Sequence, residues 1–596
     1  MCGLDLAKPS KEGNMHKKFI IIIMLLGLVA YGNTLFNSLI CDDEFVIVNN
    51  LFVRKLSNLS RFFDKSYLTK TSDVFFRNNF NKYDIGSGEL SYRPLTTMSH
   101  MFEYTIWKLK PYGYHLDNLI LHIICAILLY IFVFLVVNDA IVAFWAGVIF
   151  VIHPLHAEVV NIVSFREDIF VGIFALLSFI AYIFYKKQNN YQKWIFYSLS
   201  VLSFFLALFS KEMAVTIPAL IILYDLYFEY KGRLKPVFVN FMSRYLAFFI
   251  VAAFYLYVNF VFFKNPEGGA LQGYIGGSFY TNMLTMSVAF SDYITSFWLP
   301  LRIKILPVYY SPVTRTFFNR DAILAVALIV LFIVLAFKLA KRSKLASFFI
   351  FWFFITLLPV ANIIPIANPM AYRYAYFPLI GLSVIAGMVL SQLRNSNLLR
   401  KISPNLYKIL QISVVVLLVS AAIPQNVFYK DRFSHGTEAL RSFPKNPQSL
   451  GDVGFAAMEQ GLYYKALVYF GAVTATGQHD PGTFLNAGIC FDYLGKYDQA
   501  IASYKNALLF RPDYSTAYYN IGIAYLKKED YNNAIINFQE SLKLDPRLAS
   551  AWRFIAEAYL EQKKTNLAIE AIHKGLDIDP EDKDLKELLL KTETKK

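Results

Sequence analysis

The chain has 596 residues, of which 56% are hydrophobic and 17% aromatic, and its mean hydropathy is +0.41. Soluble domains do not carry that much apolar surface, so the composition excludes a purely soluble protein. The formal charge of +15 does not indicate nucleic-acid binding, because lysine and arginine cluster in short stretches between apolar runs, as in membrane-protein loops. The four cysteines match neither a metal-ligand spacing nor a disulfide framework.

Eleven apolar segments predict transmembrane helices, since each approaches the length that a bilayer requires. They cover residues 18–40, 116–137, 139–157, 168–185, 194–210, 213–229, 244–263, 320–340, 346–364, 374–393 and 408–425. The basic stretches are all cytoplasmic only if segment 281–300 does not cross, and we interpret that segment as an interfacial or re-entrant helix. This count predicts a cytoplasmic N-terminus and a C-terminal tail on the other side.

The first segment is predicted to be a membrane anchor. Ala30-Tyr31-Gly32 resembles a small-x-small cleavage site, so a cleaved signal peptide is the alternative. The apolar run continues to Ile40, which favours the anchor. In both cases Asp42 and Asp43 follow directly and face the non-cytoplasmic side. Carboxylates so close to lipid are costly to desolvate, and they therefore need a solvated loop or a function.

The last 150 or so residues form a soluble tail with a sequence period of 34 residues. The pattern aromatic-x-x-L-G-x-x-Y, then Ala, aromatic and Pro, is typical of tetratricopeptide repeats, in which small residues let paired helices approach. We predict a membrane domain over 1–430, a linker over 431–446 and about four repeats over 447–480, 481–514, 515–548 and 549–582. Stacked helix pairs form a groove that usually binds peptides. A dimerisation or spacer module is the alternative.

Five further stretches lie on the predicted side of the aspartates. They are SYRPLTTMSH (91–100) and KPYGYHLDNLILH (110–122) in the first loop, about 41–115, and then HPLHAEVVNIVSFRED (153–168), SKEMAVT (210–216) and ANPMAYRYAYFPLIG (367–381). Each carries ionisable groups beside apolar spans, where functional sites of membrane proteins concentrate.

In this order, and ahead of the repeats, these stretches resemble the transmembrane and tetratricopeptide-repeat O-mannosyltransferases, which are membrane glycosyltransferases of the GT-C fold. The resemblance covers nearly the whole chain. It implies an all-α protein: a polytopic GT-C-type helical bundle of about 11 spans followed by a TPR α-solenoid. The chain departs from the family pattern at Phe165, Glu167, Ala214 and Tyr372.

The resemblance implies transfer of a hexose, mannose in the family, from a polyprenyl-phosphate sugar to a hydroxyl. The acceptor hydroxyl needs a general base, and the leaving phosphate needs cations near the membrane surface. We assign Asp42 and Asp43 as the catalytic acidic pair, and by analogy with the fold class Asp42 is favoured as the base. The alternative for this pair is a solvated turn.

The resemblance also suggests residues for the donor phosphate and for its surroundings. The phosphate contacts are Arg373, Arg166, Lys211 and Arg93, and the supporting residues are Asp168, Glu158, His153, His156, Glu212 and Tyr376. The alternatives are snorkelling for Arg373, helix capping for Asp168, hydrogen-bonded structure for the histidines and a Lys211–Glu212 ion pair. Adjacent carboxylates also suit a divalent cation such as Mg²⁺ or Mn²⁺, and the sequence leaves metal dependence open.

The expected partners are a polyprenyl-phosphate sugar donor, membrane lipids and an acceptor protein or peptide recruited by the tail, with no nucleic acid. Alternative functions keep the donor but use a glycan or lipid acceptor, or reduce the protein to a membrane-anchored TPR scaffold without enzymatic activity. A transporter is not favoured, since broken spans with mid-membrane charges are not evident. We expect a bacterial inner membrane with loop 41–115 and the tail periplasmic, or an endoplasmic-reticulum membrane with a luminal tail.

Overall fold

The computed structural model describes residues 11–63, 92–230, 232–263, 273–303, 313–366, 368–394 and 405–593. Within these ranges the secondary structure is helical and contains no strand, which confirms the all-α prediction. The chain divides into two compact units, and the division falls between Ser434 and His435. Residues 64–91 of the predicted first loop lie outside the described ranges.

The first unit contains fifteen α-helices in its described part, joined by 3₁₀ and π-helical turns. They are α1 Lys11–Tyr31, α2 Pro94–Trp107, α3 Pro111–Val137, α4 Ala140–Ile152, α5 Ala157–Asn161, α6 Arg166–Lys187, α7 Gln192–Leu208, α8 Ile217–Tyr224, α9 Lys235–Val239, α10 Leu246–Leu256, α11 Phe279–Trp298, α12 Arg320–Arg342, α13 Lys344–Leu357, α14 Leu379–Arg394 and α15 Leu406–Phe428.

The helices match the predicted spans in position, but fewer of them are long enough to cross a bilayer by themselves. Among the described residues, six helical segments pass by length and apolar composition: Gly13–Phe36, Pro111–Val137, Val163–Lys187, Phe241–Phe262, Arg320–Arg342 and Leu406–Phe428. A seventh consists of α4 and Pro154–Asn161, bent by 49° at His153. The predicted count of eleven therefore exceeds these six or seven.

The remaining four predicted spans fall on shorter helices. Three are the apolar helices Gln192–Leu208, Lys344–Val360 and Leu379–Arg394. The fourth, 213–229, contains only the eight-residue α8 between two irregular turns. At its end Asp225 is buried and accepts hydrogen bonds from Tyr182 and Tyr245 beside Lys186. Buried polar groups need such partners, which the apolar pattern did not indicate.

Close helix packing in the first unit depends on glycine at two positions of α14. A Cβ at Gly381 would lie 2.4 Å from the backbone oxygen of Phe349 in α13. A Cβ at Gly387 would lie 2.8 Å from the backbone oxygen of Val142 in α4. Neither backbone can move as a side chain can, so α14 packs between these helices only because both positions lack a side chain.

The second unit is an array of paired helices, and its repeat period has a visible cause. After α16 (Arg432–Ser442), which begins just before the division, come α17 Pro447–Glu459, α18 Tyr463–Ala475, α19 Pro481–Tyr493, α20 Tyr497–Phe510, α21 Ser515–Lys527, α22 Tyr531–Leu544, α23 Ala549–Glu561, α24 Thr565–Ile578 and α25 Lys583–Glu593. A Cβ at Gly488 or Gly522 would lie 2.4 Å from the Tyr504 ring or 2.7 Å from the Phe538 ring. The glycine therefore recurs because an aromatic ring of the paired helix fills its place.

Candidate active site

The two predicted aspartates have different surroundings. Asp43 is fully buried, and its carboxylate accepts hydrogen bonds from the backbone N–H groups of Val163 (3.1 Å) and Ser164 (2.6 Å). Burial raises the pKa of Asp43 to about 7, although these bonds lower it. Asp43 thus ties the loop after the first span to the 3₁₀ turn that precedes α6.

Asp42 is partly exposed, and no described residue donates a hydrogen bond to its carboxylate. Desolvation by the surrounding protein raises the pKa of Asp42, and Glu167 adds to this, whereas Arg373 and Arg93 lower it. A carboxylate that is accessible, unpaired by hydrogen bonds and more basic than usual has the properties of a general base.

Arg373, whose charge acts on Asp42, is held in place by Glu158. Its Nη1 donates to Glu158 Oε1 at 3.0 Å, its backbone N–H donates to Oε2 at 3.1 Å, and its guanidinium lies 4.0 Å from the centre of the Phe165 ring. Its Nε and Nη2 have no hydrogen-bond partner among the described residues. Burial would lower the pKa of Arg373, but Tyr374, Glu158 and Asp42 raise it. Arg373 is therefore a permanent cation with one edge still available.

The turn that carries Arg373 is fixed by α11, the helix predicted to be interfacial or re-entrant. Tyr372 donates its hydroxyl to Asp292 at 2.8 Å, and Tyr293 donates to the backbone oxygen of Ala371 at 2.9 Å. This helix is not among the six that are long and apolar enough to span. The departure at Tyr372 thus places a phenol where it contacts an acid of α11.

Two of the remaining predicted cations, Arg93 and Lys211, form a chain of ion pairs around Glu167. Arg93 contacts Glu167 at 2.7 Å and Glu212 at 2.9 Å. Lys211, which is 2% exposed, contacts Asp168 at 2.6 Å and Glu167 at 2.9 Å. The predicted alternative of a Lys211–Glu212 pair is not what the structure shows, because Glu212 pairs with Arg93 instead.

Two pKa shifts outside the spans reflect this ion-pair chain. Burial would raise the pKa of Glu212, but Arg93 and Lys211 lower it. Burial would lower the pKa of Lys211, but Asp168 and Glu167 raise it. Both side chains are therefore charged at neutral pH. The capping alternative for Asp168 is not seen, since its described hydrogen-bond partner is Lys211 and Phe165 is the N-cap residue of α6.

Arg166 points away from this group into a second buried cluster. It is 1% exposed, contacts Glu103 at 2.5 Å and donates to the Asn118 side chain at 2.6 Å. Burial would raise the pKa of Glu103, but Arg166 and His100 bring it down to about 2. The structure therefore does not bring Arg166 together with Arg373 and Asp42.

The predicted histidines and Tyr376 are buried. His153 accepts from the Leu155 backbone N–H at 3.2 Å and contacts the Phe297 backbone oxygen at 3.1 Å. The His156 ring lies 4.6 Å from the Tyr376 ring, and the Tyr376 hydroxyl contacts His122 at 2.8 Å. His153 therefore fits the hydrogen-bonded alternative, whereas neither ring nitrogen of His156 has a hydrogen-bond partner among the described residues. Among the described residues, no group of three or more His, Cys, Asp or Glu side chains is arranged to hold a metal ion.

Sequence reasoning missed Glu167, Glu103 and Asn118 as members of these clusters. The sequence marks Glu167 only as a departure from the family pattern, yet it joins Arg93 to Lys211. Asn118 lies in the motif HLDNLILH and accepts a hydrogen bond from the buried guanidinium of Arg166. A buried charged group needs such a partner, because burial removes its contacts with water. The signal was a polar residue inside an apolar run, which usually has a partner.

Known proteins resemble both parts of the chain. Family models described as TPR repeat and tetratricopeptide repeat match residues 493–529, 515–548 and 549–582. The protein O-mannosyl-transferase TMTC3 of Mus musculus is 22% identical over 84% of this chain and 56% of its own length. The protein O-mannosyl-transferase TMTC2 of Homo sapiens is 29% identical over 38% of this chain and 26% of its own length.

The chain is thus similar to the TMTC protein O-mannosyl-transferases over most of its length. This confirms the resemblance stated from the motifs, and the chain is a membrane protein with a TPR tail. It spans about half the length of TMTC3. A solved structure of MamA covers 25% of the chain and 86% of its own length at 20% identity, with a TM-score of 0.24.

Proposed function

We propose that the chain transfers a mannose-like hexose from a polyprenyl-phosphate sugar to serine or threonine hydroxyls of proteins, on the extracytoplasmic side of its membrane. The observation that carries this proposal is the accessible carboxylate of Asp42, to which no described residue donates a hydrogen bond. The charge of Arg373 acts on this carboxylate. A base and a phosphate-binding cation are the two groups that this displacement needs. The names of the relatives, protein O-mannosyl-transferases, support the transfer of mannose to a protein acceptor.

In the proposed reaction, Asp42 removes the proton from the acceptor hydroxyl as its oxygen attacks the anomeric carbon of the sugar. The new carbon–oxygen bond forms while the bond from that carbon to the phosphate oxygen breaks. Polyprenyl phosphate leaves with the bonding electron pair, and the available edge of Arg373 stabilises its charge. Attack opposite the leaving group inverts the anomeric centre.

The other residues act around this pair. Asp43 does not act as the base, because two backbone N–H groups already occupy its carboxylate, and it positions Asp42 instead. Arg93 and Lys211 are bound to carboxylates and contribute positive potential rather than a direct phosphate contact. Arg166 supports the fold around Glu103 and Asn118. Glu158 orients Arg373.

We further propose that the repeat tail recruits the acceptor protein. Asn486 and Asn520 occupy the same position in consecutive repeats, so their amides lie on the same side of the array. Both are half-buried and have no hydrogen-bond partner among the described residues. Repeated amides can bond the backbone of an extended peptide, which favours a protein acceptor over a glycan or a lipid.

The test is transfer from a radiolabelled polyprenyl-phosphate mannose to threonine-containing peptides by purified full-length protein in lipid nanodiscs. Asp42→Asn should lower kcat by about 10²- to 10⁴-fold, because the hydroxyl loses its base. Asp139→Asn is the matched control. Asp139 is the N-cap residue of α4, just after the C-terminal end of α3, and asparagine is also a good N-cap residue. Label in lipid rather than peptide would reject the protein acceptor. Undiminished transfer by Asp42→Asn would reject the base.

A further inference from the structure

Three buried asparagines join separate parts of the first unit. Asn37 donates to the Asn161 side-chain oxygen at 2.7 Å and to the Asn426 backbone oxygen at 3.0 Å. Asn161 donates to the Asn426 side-chain oxygen at 2.8 Å. Asn426 donates to the backbone oxygen of Ala30 at 2.8 Å and to the Asn33 side-chain oxygen at 2.7 Å. We call Asn37, Asn161 and Asn426 the asparagine triad.

Two members of the triad belong to segments that carry part of the site. Asn37 precedes Asp42 by five residues in the loop after α1. Asn161 ends α5, three residues after Glu158, which holds Arg373. The Val163 and Ser164 N–H groups that bind Asp43 lie two and three residues after Asn161. The triad thus joins the segment of the base, Asp42, to the segment of Glu158, which holds the phosphate cation Arg373.

The third member comes from the end of the last apolar helix, and two further contacts support it. The backbone N–H of Ser38 donates to the Lys430 backbone oxygen at 2.8 Å. Arg432 forms an ion pair with Glu44, two residues after Asp42. The segment 426–432 therefore contacts the acidic loop before Asp42, through the triad, and after it, through Glu44.

Apolar side chains would fill the same space without the cost of burying amides, so the contact is poorly explained by stability alone. Directional hydrogen bonds, in contrast, fix one register between the segments that they join. The groups whose charges reach Asp42 are Arg373, Arg93, Glu167 and the adjacent Asp43. A shift of the acidic loop would change its distance from each of them.

We propose that the asparagine triad is a positioning device that sets the separation between Asp42 and Arg373. This inference rests on the proposed function for its catalytic consequence, whereas its structural part can be measured without activity. Asn426 and Arg432 act through the loop and contact no reacting atom.

The experiment compares Asn426→Ala with Asn405→Ala in full-length protein in nanodiscs. Asn405 is the exposed N-cap residue of the same helix, and it provides the same substitution away from the triad. In Asn426→Ala, hydrogen exchange of the Val163 and Ser164 amides should become at least about fivefold faster, because their bonds to Asp43 are no longer held in register. The acid limb of the pH dependence of kcat/KM should move to higher pH, since Asp42 loses part of the influence of Arg373. Asn405→Ala should change neither.

Unchanged exchange at both amides would overturn the inference. Faster exchange with an unmoved acid limb would show a structural joint only and would also overturn it. If the wild-type protein transfers no sugar, the proposed function fails. Hydrogen exchange of the Val163 and Ser164 amides then tests by itself whether the asparagine triad holds these segments together.

If Asn426→Ala does not fold, the Glu44–Arg432 pair replaces it in the test. Glu44→Arg or Arg432→Glu alone should shift the acid limb, and the double reversal should restore it. A double variant that stays shifted would contradict the positioning role.

Discussion

Replacing Lys211 by methionine separates an ion-pair role from a phosphate-binding role. The Nζ of Lys211 lies 2.6 Å from Asp168 and 2.9 Å from Glu167, and both acids are almost entirely buried. Asp168 has no other hydrogen-bond donor among the described residues. Lys211→Met therefore leaves the buried carboxylate of Asp168 without its partner, whereas Glu167 keeps its ion pair with Arg93.

Removing one member of a buried ion pair costs about 3–5 kcal/mol, mostly because the remaining charge stays desolvated. In a unit of this size such a loss lowers the apparent melting temperature by roughly 5 °C. Adding Asp168→Asn removes the stranded charge, and the double variant should recover most of the loss. The exposed Lys187, at the other end of the same helix as Asp168, provides the control Lys187→Met, which should change stability by less than about 0.5 kcal/mol.

The measurements are thermal unfolding in nanodiscs and the donor KM of each variant. An ion-pair role predicts a destabilised single variant that Asp168→Asn rescues. A phosphate contact predicts unchanged unfolding with a raised donor KM, and this result would refute the ion-pair reasoning.

Two further predictions address the phosphate cation and the repeats. Arg373→Lys should raise the donor KM about tenfold without unfolding the protein, because an ammonium cannot contact Glu158 and a phosphate through separate edges; an unchanged KM would contradict the assignment. Gly522→Ala should destabilise the second unit by about 1–2 kcal/mol, because a Cβ would lie 2.7 Å from the Phe538 ring. Gly471→Ala, where a Cβ would have no atom of a neighbouring element within 4 Å, should stabilise the unit by about 0.5–1 kcal/mol. Thermal unfolding followed by circular dichroism measures both effects. Equal effects at both glycines would rule out the packing explanation.

The contrast between Asp42 and Asp43 shows why the sequence could locate a candidate site but could not say which of the two aspartates is the base. Two adjacent acids after an apolar run are equivalent as letters. Their difference arises because the chain returns 120 residues later with the N–H groups of Val163 and Ser164, which occupy Asp43 and leave Asp42 open. Pairings at this sequence separation leave no periodic signal.

The cations show the same limit. Arg93, Lys211 and Arg373 were all reasonable phosphate ligands by motif, and only their partners distinguish them. Glu167 engages the first two, whereas Glu158 leaves an edge of Arg373 available. The choice depends on distances between segments that are far apart in the chain.

The sequence by itself determined the local features of this protein: apolar segments, the period of 34 and the all-α class. These follow from hydropathy and from helix repeats, which act between neighbouring residues. Only the tertiary structure decided which helices reach a bilayer's length, which carboxylate is accessible and which cation keeps a free edge. Those properties depend on burial and partner choice, and a linear pattern does not contain them because desolvation and hydrogen bonding are set by residues brought together from distant segments.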